Sequence, residues 1–595
     1  MVVRRLARDA RLSLARLPGL GGSLGGSNVP DAPAVAIRDL WPGDTGRGAR
    51  LMKGELVFAG AVTPLQPGAP ARNGHAPNGH ASGGQVGSHW TDLGVPPLLR
   101  AHAQGFSWLR DLRALGTDGG RLRARALASE WLARPPNDPV ARAPHVVASR
   151  VTAWLTHYDF FAASADDAFR QRLMTRLMTD ARTLAANIPT SFHDHRALTC
   201  LKGLLACAVA MPEQSGFLTR TMRHIGPEIG RQILADGTHA ERSPGAQLGA
   251  LRELAEMRAL MQIGQIAPPL ALAAALDRMS PVLRALRHGD GGLALFNGSH
   301  EENPAQIDLV LAQSTRGRVV AAEMPDGGFI RVQAGRSLLL VDAGPPPPTG
   351  FDVTAHAGTL SFELSVGRER LIVNCGAGIL PAWRDALRAT AAHSTLVVAD
   401  TSSSEFRQGA IVRRPANVTI DHRQANGAHW LDLSQDGYAP GFGAVHHRRI
   451  YVAEGGEDVR GEDMLVADKP VALALRFHLH PGVKVARDGV VGANAGPEQP
   501  EEEAGAVLLT LPSGSMWRLR ADSGRLSIEE GVYLGGESPR QGSQVVITVT
   551  PDAASADGPP GEPPTPAGDA AASGSGEEQP VGRQTVRWAI SRVES

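Results

Sequence analysis

The sequence predicts a multidomain α+β protein, an all-helical part followed by a large antiparallel β-sandwich. Three observations predict it. At roughly 100–200 residues per domain, 595 residues make two to four domains. From about residue 98 to about 288, apolar residues recur at three- and four-residue spacing, the period of a helix with one buried face. After 290 the period changes to two, in short runs separated by Gly-containing turns. The expected division is a poorly structured region over 1–90, a helical domain over 91–290 and a β-sandwich domain over 291–595.

The N-terminus reads MVVRRLARDARLSLARLPGL. It carries charges but no clean apolar core of the roughly 7–15 residues that an export signal uses, so the direct reading is cytoplasmic. LQPGAPARNGHAPNGHASGGQVGSH, 65–89, is rich in turn formers and reads as an insert. Helical strings follow: LRARALASEWLAR, VVASRVTAWLTHY, AFRQRLMTRLMTDARTLAANI, HRALTCLKGLLACAVAM, FLTRTMRHIGPEIGRQIL and GALRELAEMRALMQIG. These predict a succession of helical hairpins. GRVVAAEMPDGGFIRVQAGRSLLLVDAG opens the strand series, and LSFELSVGRERLIVN reads as a hairpin around Gly367. HSTLVVAD, HWLDLSQ, HHRRIYVA, VALALRFHLHP, SQVVITV and TVRWAISRV continue it. Many short strands at regular spacing predict a sandwich. Residues 490–505 and 551–581 have compositions that cannot form a core and read as excursions between strands.

Charge excludes some functions. Lys plus Arg and Asp plus Glu are 60 each, which removes a composition-level case for nucleic acid or an anionic membrane. No run of about 18 apolar residues predicts a membrane span. The cysteines are Cys200, Cys207 and Cys375. The first two lie on one helical pattern about 10 Å apart, too far for a disulfide.

Four strings carry a resemblance: LADGTHAERSPGAQLGALRELAEMRAL (234–260), MPDGGFIRVQAG (324–335), AHAGTLSFEL (355–364) and RATAAHSTLVV (388–398). A helical part followed by a sandwich with these strings resembles the heparinase II/III-like family. The resemblance implies an (α/α) toroid before the sandwich and a lyase that cleaves uronic-acid-containing polysaccharides by β-elimination. It implies an acidic polysaccharide as partner, a cell-envelope or periplasmic location, and a zinc or calcium ion in the sandwich, with no organic cofactor. A homodimer is compatible with it.

β-Elimination removes the C5 proton beside a carboxylate, so the carboxylate must be neutralised by Asn, His, Arg or a metal. A Tyr or His then acts as base. The candidate catalytic residues are His239, Tyr438, His193, His195 and Arg388. Tyr438 stands in QDGYAPGFGAVHHRR, read as a Gly/Pro loop between strands. His193 and His195 match the toroid's neutraliser or simply precede the Arg196 helix. His239 and Arg242 stand near the position where the family carries a helical-domain tyrosine; here that position is Ala246. Arg242, Asn297, His300 and Arg384 are the candidate substrate contacts, and Arg388 suits a bidentate carboxylate. The resemblance maps a metal set onto His356, Asn374 and His393, with Asn374 where the family has Asp. The family's catalytic histidine falls on Thr354, and a further Asp on Gly358. Neutral Asn is a poor zinc ligand beside a carboxylate. His478 and His480 could supply another ligand or be a surface pair, and Asn374 and His393 could equally form a buried network beside Cys375. The second reading is therefore a catalytically altered or inactive glycan-binding protein, and a third is a structural protein of envelope polymer assembly.

Overall fold

The computed structural model describes residues 29–65, 90, 95–135, 137–488, 505–550 and 582–593. Helical structure starts earlier than the spacing predicts. Asp44 accepts a hydrogen bond from the Arg47 amide and caps the helix Thr45–Met52. Glu55–Phe58 then pairs antiparallel with Ala61–Pro64. Ile37, Trp41, Leu51, Leu56 and Leu65 are buried in the same core as the later helices. The expected lack of structure up to residue 90 is thus corrected over 29–65, where a few well-spaced apolar anchors outweigh a Gly/Pro-rich composition. Residues 1–20, the 65–89 insert apart from residue 65, and the excursions at 490–505, apart from residue 505, and 551–581 lie outside the described residues.

Among the helices, Arg196–Ala210 is central. It packs against Pro144–Thr156, Ser215–Gln232 and Pro244–Ile263. Nearly all its residues are buried, including Lys202. That ammonium meets Glu253 at 2.9 Å and Glu256 at 2.7 Å, the pairing a buried cation requires. Gly203 permits a close helix–helix approach: a Cβ there would lie 2.7 Å from the Cα of Ala148. Ser243 caps Pro244–Ile263 by accepting from the Ala246 amide, with Pro244 in the first turn where its missing N–H costs nothing. A further helix, Pro304–Ser314, carries the helical core past residue 290.

The strands form two large antiparallel sheets face to face. One runs Val418–Ala425, Ala428–Tyr438, Ala444–Val452, Asp458–Val466, Arg583–Arg592, Met516–Ala521, Ala506–Thr510 and Lys484–Arg487. The other runs Arg525–Tyr533, Arg540–Val549, Leu473–Leu479, Glu369–Val373, Phe362–Val366, Ser337–Asp342 and Phe329–Ala334, with Leu396–Val398 also on Leu473–Leu479. The hairpin around Gly367 is present, with φ +59° at the glycine. The stretch RVVAAEM before it is not a strand; Val319 and Val320 are exposed there. Both inner faces share one apolar core, and Phe362 stacks on Trp588 with centroids 5.6 Å apart. Inside it, Asp463 accepts from Arg448 at 2.7 Å, His446 at 2.7 Å and the Trp588 indole at 2.8 Å. A buried carboxylate with three donors is satisfied.

An apolar seam joins the two halves. Val282 and Ala285 of the helix Leu270–Ala285, with Leu286 just past its end, meet Phe296, Phe329, Leu338 and Leu340 of the sandwich side. This seam fixes how the polar residues beside it face one another.

Candidate functional site

The chemistry-bearing residues of both halves gather at the seam. On the helical side, His195 stands at the start of Arg196–Ala210, and its Nδ1 lies 2.7 Å from Glu241 Oε1. The Glu241 carboxylate also accepts from the His195 amide at 3.0 Å. Burial opposes charge on both, but the pairing wins: His195 is raised to about 9 and Glu241 is brought down to about 2. His195 is therefore an imidazolium at neutral pH, partly exposed and already matched by a carboxylate. His239 is fully buried, and burial takes it down to about 4, so it is neutral. Its Nε2 donates to Gln232 Oε1 at 2.9 Å, and its Nδ1 accepts from the Glu241 amide at 3.2 Å. His193 is exposed, with Nδ1 accepting from Arg231 at 3.1 Å and the ring edge-on to Phe351.

Arg242 crosses the seam. Its guanidinium donates to Gly327 O at 2.6 Å, to Gly328 O and Pro345 O, and forms a buried ion pair with Asp342. Asn297 donates to Arg242 O at 2.8 Å and accepts from the His356 amide at 3.0 Å. Arg242 and Asn297, expected to meet sugar, are 4 % and 2 % exposed and bind the protein itself. His300 donates from Nε2 to Ala377 O at 3.0 Å.

In the sandwich, His356 and His393 face each other, Nδ1 to Nε2, at 3.1 Å. His393 Nδ1 donates to Ala389 O at 2.8 Å, so its Nε2 carries the lone pair and accepts from His356. Burial keeps both neutral, with His393 lowered to about 4. Asn374 is fully buried and committed at both ends: Nδ2 donates to Glu363 Oε1 at 3.2 Å, and Oδ1 accepts from the Ser394 amide at 3.0 Å. The oxygens of Glu363 are taken by His288 and by the amides of Leu295 and Asn374. The spacing of the two imidazoles alone would admit an ion, but the third donor decides. His356, Asn374 and His393 do not fit zinc or calcium, because no free carboxylate completes the set. Among the described residues no group of three or more His, Cys, Asp or Glu could hold a metal ion. Gly358 makes the closed pair sterically feasible: a Cβ there would sit 2.7 Å from His393 Cδ2. Thr354 is exposed and Ala246 is buried at the first turn of its helix.

The tyrosines do not reach the seam as free bases. Tyr438, expected in a loop, ends the strand Ala428–Tyr438, is 1 % exposed and donates to Leu396 O at 2.8 Å. Its position is corrected to the sandwich core because its ring is apolar volume between the sheets. Tyr158 and Tyr533 are also buried, the latter bonded to Glu301, and Tyr451 packs on Trp430 on the outer sheet face. His478 is no surface residue: Nε2 donates to Ala391 O at 2.9 Å, and Nδ1 lies 3.3 Å from the Cys375 sulfur. Burial pushes that thiol up to about 12.

Arg388 and Arg384 line a cavity of about 670 Å³ at the side of the sandwich, together with Arg413, Ser404 and Phe442. Residues that the sequence did not single out hold the seam together: Glu241, Gln232, Asp342 and Glu363. Glu241 stood in the quoted string between His239 and Arg242 and could have been paired with a histidine; Asp342 and Glu363 stand in strands and carry no local signal.

The family described as heparinase II/III-like, C-terminal, matches residues 317–588. FtsZ-localized protein C of Caulobacter vibrioides (strain NA1000 / CB15N) is 31% identical over 543 residues, covering 87% of this chain and 88% of that protein. A crystal structure of heparinase III superposes with a TM-score of 0.65 at 11% identity, covering 99% of this chain and 89% of the other. A heparan sulfate lyase mutant from Pedobacter heparinus gives 0.56 at 14% identity with the same coverage. The likeness to these solved structures is one of fold, a helical toroid with a β-sandwich.

Proposed function

We propose, for a chain that belongs to the heparinase II/III-like family, a binding role in which the lyase scaffold is kept and uronate elimination is lost. The observation that carries this reading is the closed His356–His393 pair over Gly358. An elimination site needs a neutraliser, a base and an open place for the reacting sugar between them. Here the histidines satisfy each other, and an exposed Thr354 and a buried Ala246 occupy the positions where the resemblance puts the base. Arg242 and Asn297, two of the side chains expected to touch sugar, are buried and bonded to protein. Because the 31% identical relative is named for localisation with FtsZ, we propose that this chain exerts its binding role at FtsZ.

The competing reading is the lyase acting on an acidic glycan. His195 favours it, since an imidazolium partly exposed at the seam could meet a uronate carboxylate. Glu241 at 2.7 Å argues against it by matching that charge first.

The test has two arms. A fluorescent fusion of the full chain is imaged with FtsZ in dividing cells, and the purified chain is mixed with heparan sulfate, alginate and bacterial exopolysaccharides. The binding reading expects co-localisation with FtsZ and no unsaturated product from any polymer. Diffuse fluorescence with product formation would replace it by the lyase reading.

A further inference from the structure

We infer that the cavity beside Arg388 is a binding site for a small organic monocarboxylate carrying one ring. It lies between the helix Pro381–Ala386, the hairpin of Glu405–Arg407 and Ala410–Arg413, and the turn after Tyr438. Its volume of about 670 Å³ is in the range of small-molecule sites. It adjoins the histidine pair from the sandwich side: Arg388 donates to Ala355 O, beside His356, and Ala389 in the cavity wall accepts from His393 Nδ1.

Three features point to the ligand. First, among the described residues the buried Arg388 guanidinium in the wall has no carboxylate at ion-pair distance, and Arg413 has only the long contact to Glu405. Arg388 donates to Ala355 O at 2.7 Å, Gly409 O at 2.9 Å and Asp352 O at 3.3 Å, so three of its five donors are used on carbonyls. The Asp352 carboxylate pairs with Arg414 instead, at 2.8 Å. Arg413 donates to the carbonyls of Ser402, Ser403 and Gly437, and its nearest carboxylate, Glu405, is 3.9 Å away. Partial charges on carbonyls do not cancel a full cation, so an anion in the cavity completes the charge balance. Second, Ser404 in the same wall is fully buried, and its hydroxyl has no hydrogen-bond partner among the described residues. A buried orphan hydroxyl beside a cationic wall is a donor waiting for an acceptor. Third, Phe406, Pro440 and Phe442 give the cavity an apolar side, with Phe406 held by the Arg388 guanidinium 4.1 Å from its ring centre.

The charge of the rim sets the ligand's charge. Asp385 and Glu405 line the cavity too, and they repel a dianion more than a monoanion. The volume exceeds what an inorganic anion fills, and the apolar side suits a ring. A carboxylate on a ring body meets all of these demands. This assignment stands on the sandwich cavity alone and does not depend on whether the seam turns over glycans.

The experiment is isothermal titration of the full chain with benzoate, with benzamide as its uncharged counterpart and with inorganic phosphate. The expected result is one benzoate per chain, with benzamide at least about tenfold weaker, as loss of a charge-assisted hydrogen bond implies. Ser404→Ala and Arg384→Gln change a single hydroxyl and an exposed rim cation, so both variants keep the fold, checked by circular dichroism. Each is expected to weaken benzoate several-fold. Absence of benzoate binding, equal binding of benzamide, tighter binding of phosphate, or benzoate affinity unchanged in both variants would each overturn the assignment.

Discussion

Arg242 and Arg388 are each 4 % exposed and each reach three backbone carbonyls, yet they sit in different electrostatic settings. Arg242 also meets Asp342, and the resulting pair bolts the helical half to the sandwich. Arg388 has carbonyls and an aromatic ring but, among the described residues, no carboxylate at bonding distance, and it lines a cavity. The contrast separates two uses of a buried cation. Matched charge marks a place where the molecule holds itself together; unmatched charge marks a place where it can hold something else. At the seam nearly every polar group of the expected lyase site is matched by protein, and the proposed binding role rests on that matching, since fold alone does not carry function.

The largest effect is expected from breaking the matched side of this contrast. Asp342→Ala leaves the Arg242 cation buried without its counter-charge and should lower unfolding free energy by about 3–5 kcal/mol. Asp352→Ala removes a carboxylate that pairs with the more exposed Arg414 and should cost about 1 kcal/mol or less. Equal losses in urea denaturation would erase the distinction. Next comes Gly358→Ala, which places a methyl against His393 and should cost about 1–3 kcal/mol by overpacking while displacing the imidazole. A neutral result there would show that the histidine pair is loosely held.

The smallest effect concerns pH. The folded-state value of His195 is raised above its ordinary 6.5 to about 9 by Glu241. Stability from this pair is fully present below about pH 6.5 and is lost as pH rises through about 9. From the Glu241 side it is present above the ordinary carboxylate value of 4.5 and is lost as pH falls toward about 2. In Glu241→Gln, the His195 ring should titrate near the ordinary histidine value, read by NMR, and the decline in stability between pH 6.5 and 9 should flatten. A wild-type ring that already titrates near 6.5 would break the pairing argument.

The sequence made the periodic parts legible because periodicity is a consequence of burial. The central helix Arg196–Ala210 and the hairpin at Gly367 follow directly from spacing and turn chemistry. The stretch 29–65 was not legible, since its helix and hairpin are short and owe their place to Trp41 and Leu51 reaching a distant core. The site residues were legible as residue types but not as partners. His356 and His393 stand 37 positions apart, and that their rings would face each other depends on a glycine at 358. Tyr438 looked like a loop aromatic because Gly and Pro follow it, while its ring fills the sandwich core. Arg388 reads from the sequence as a candidate carboxylate contact, and its company with Arg413 comes from a hairpin that no local pattern announces.

The central claim is that the seam no longer performs elimination. Its most direct test is the ultraviolet absorbance of unsaturated product when the purified chain meets a panel of uronic-acid polymers, with zinc, with calcium and with EDTA. The account predicts a flat trace for every polymer in every condition, in wild type and in His393→Ala alike. A rise with wild type that disappears in His393→Ala would contradict it, and its loss with EDTA would add that these histidines hold a metal after all.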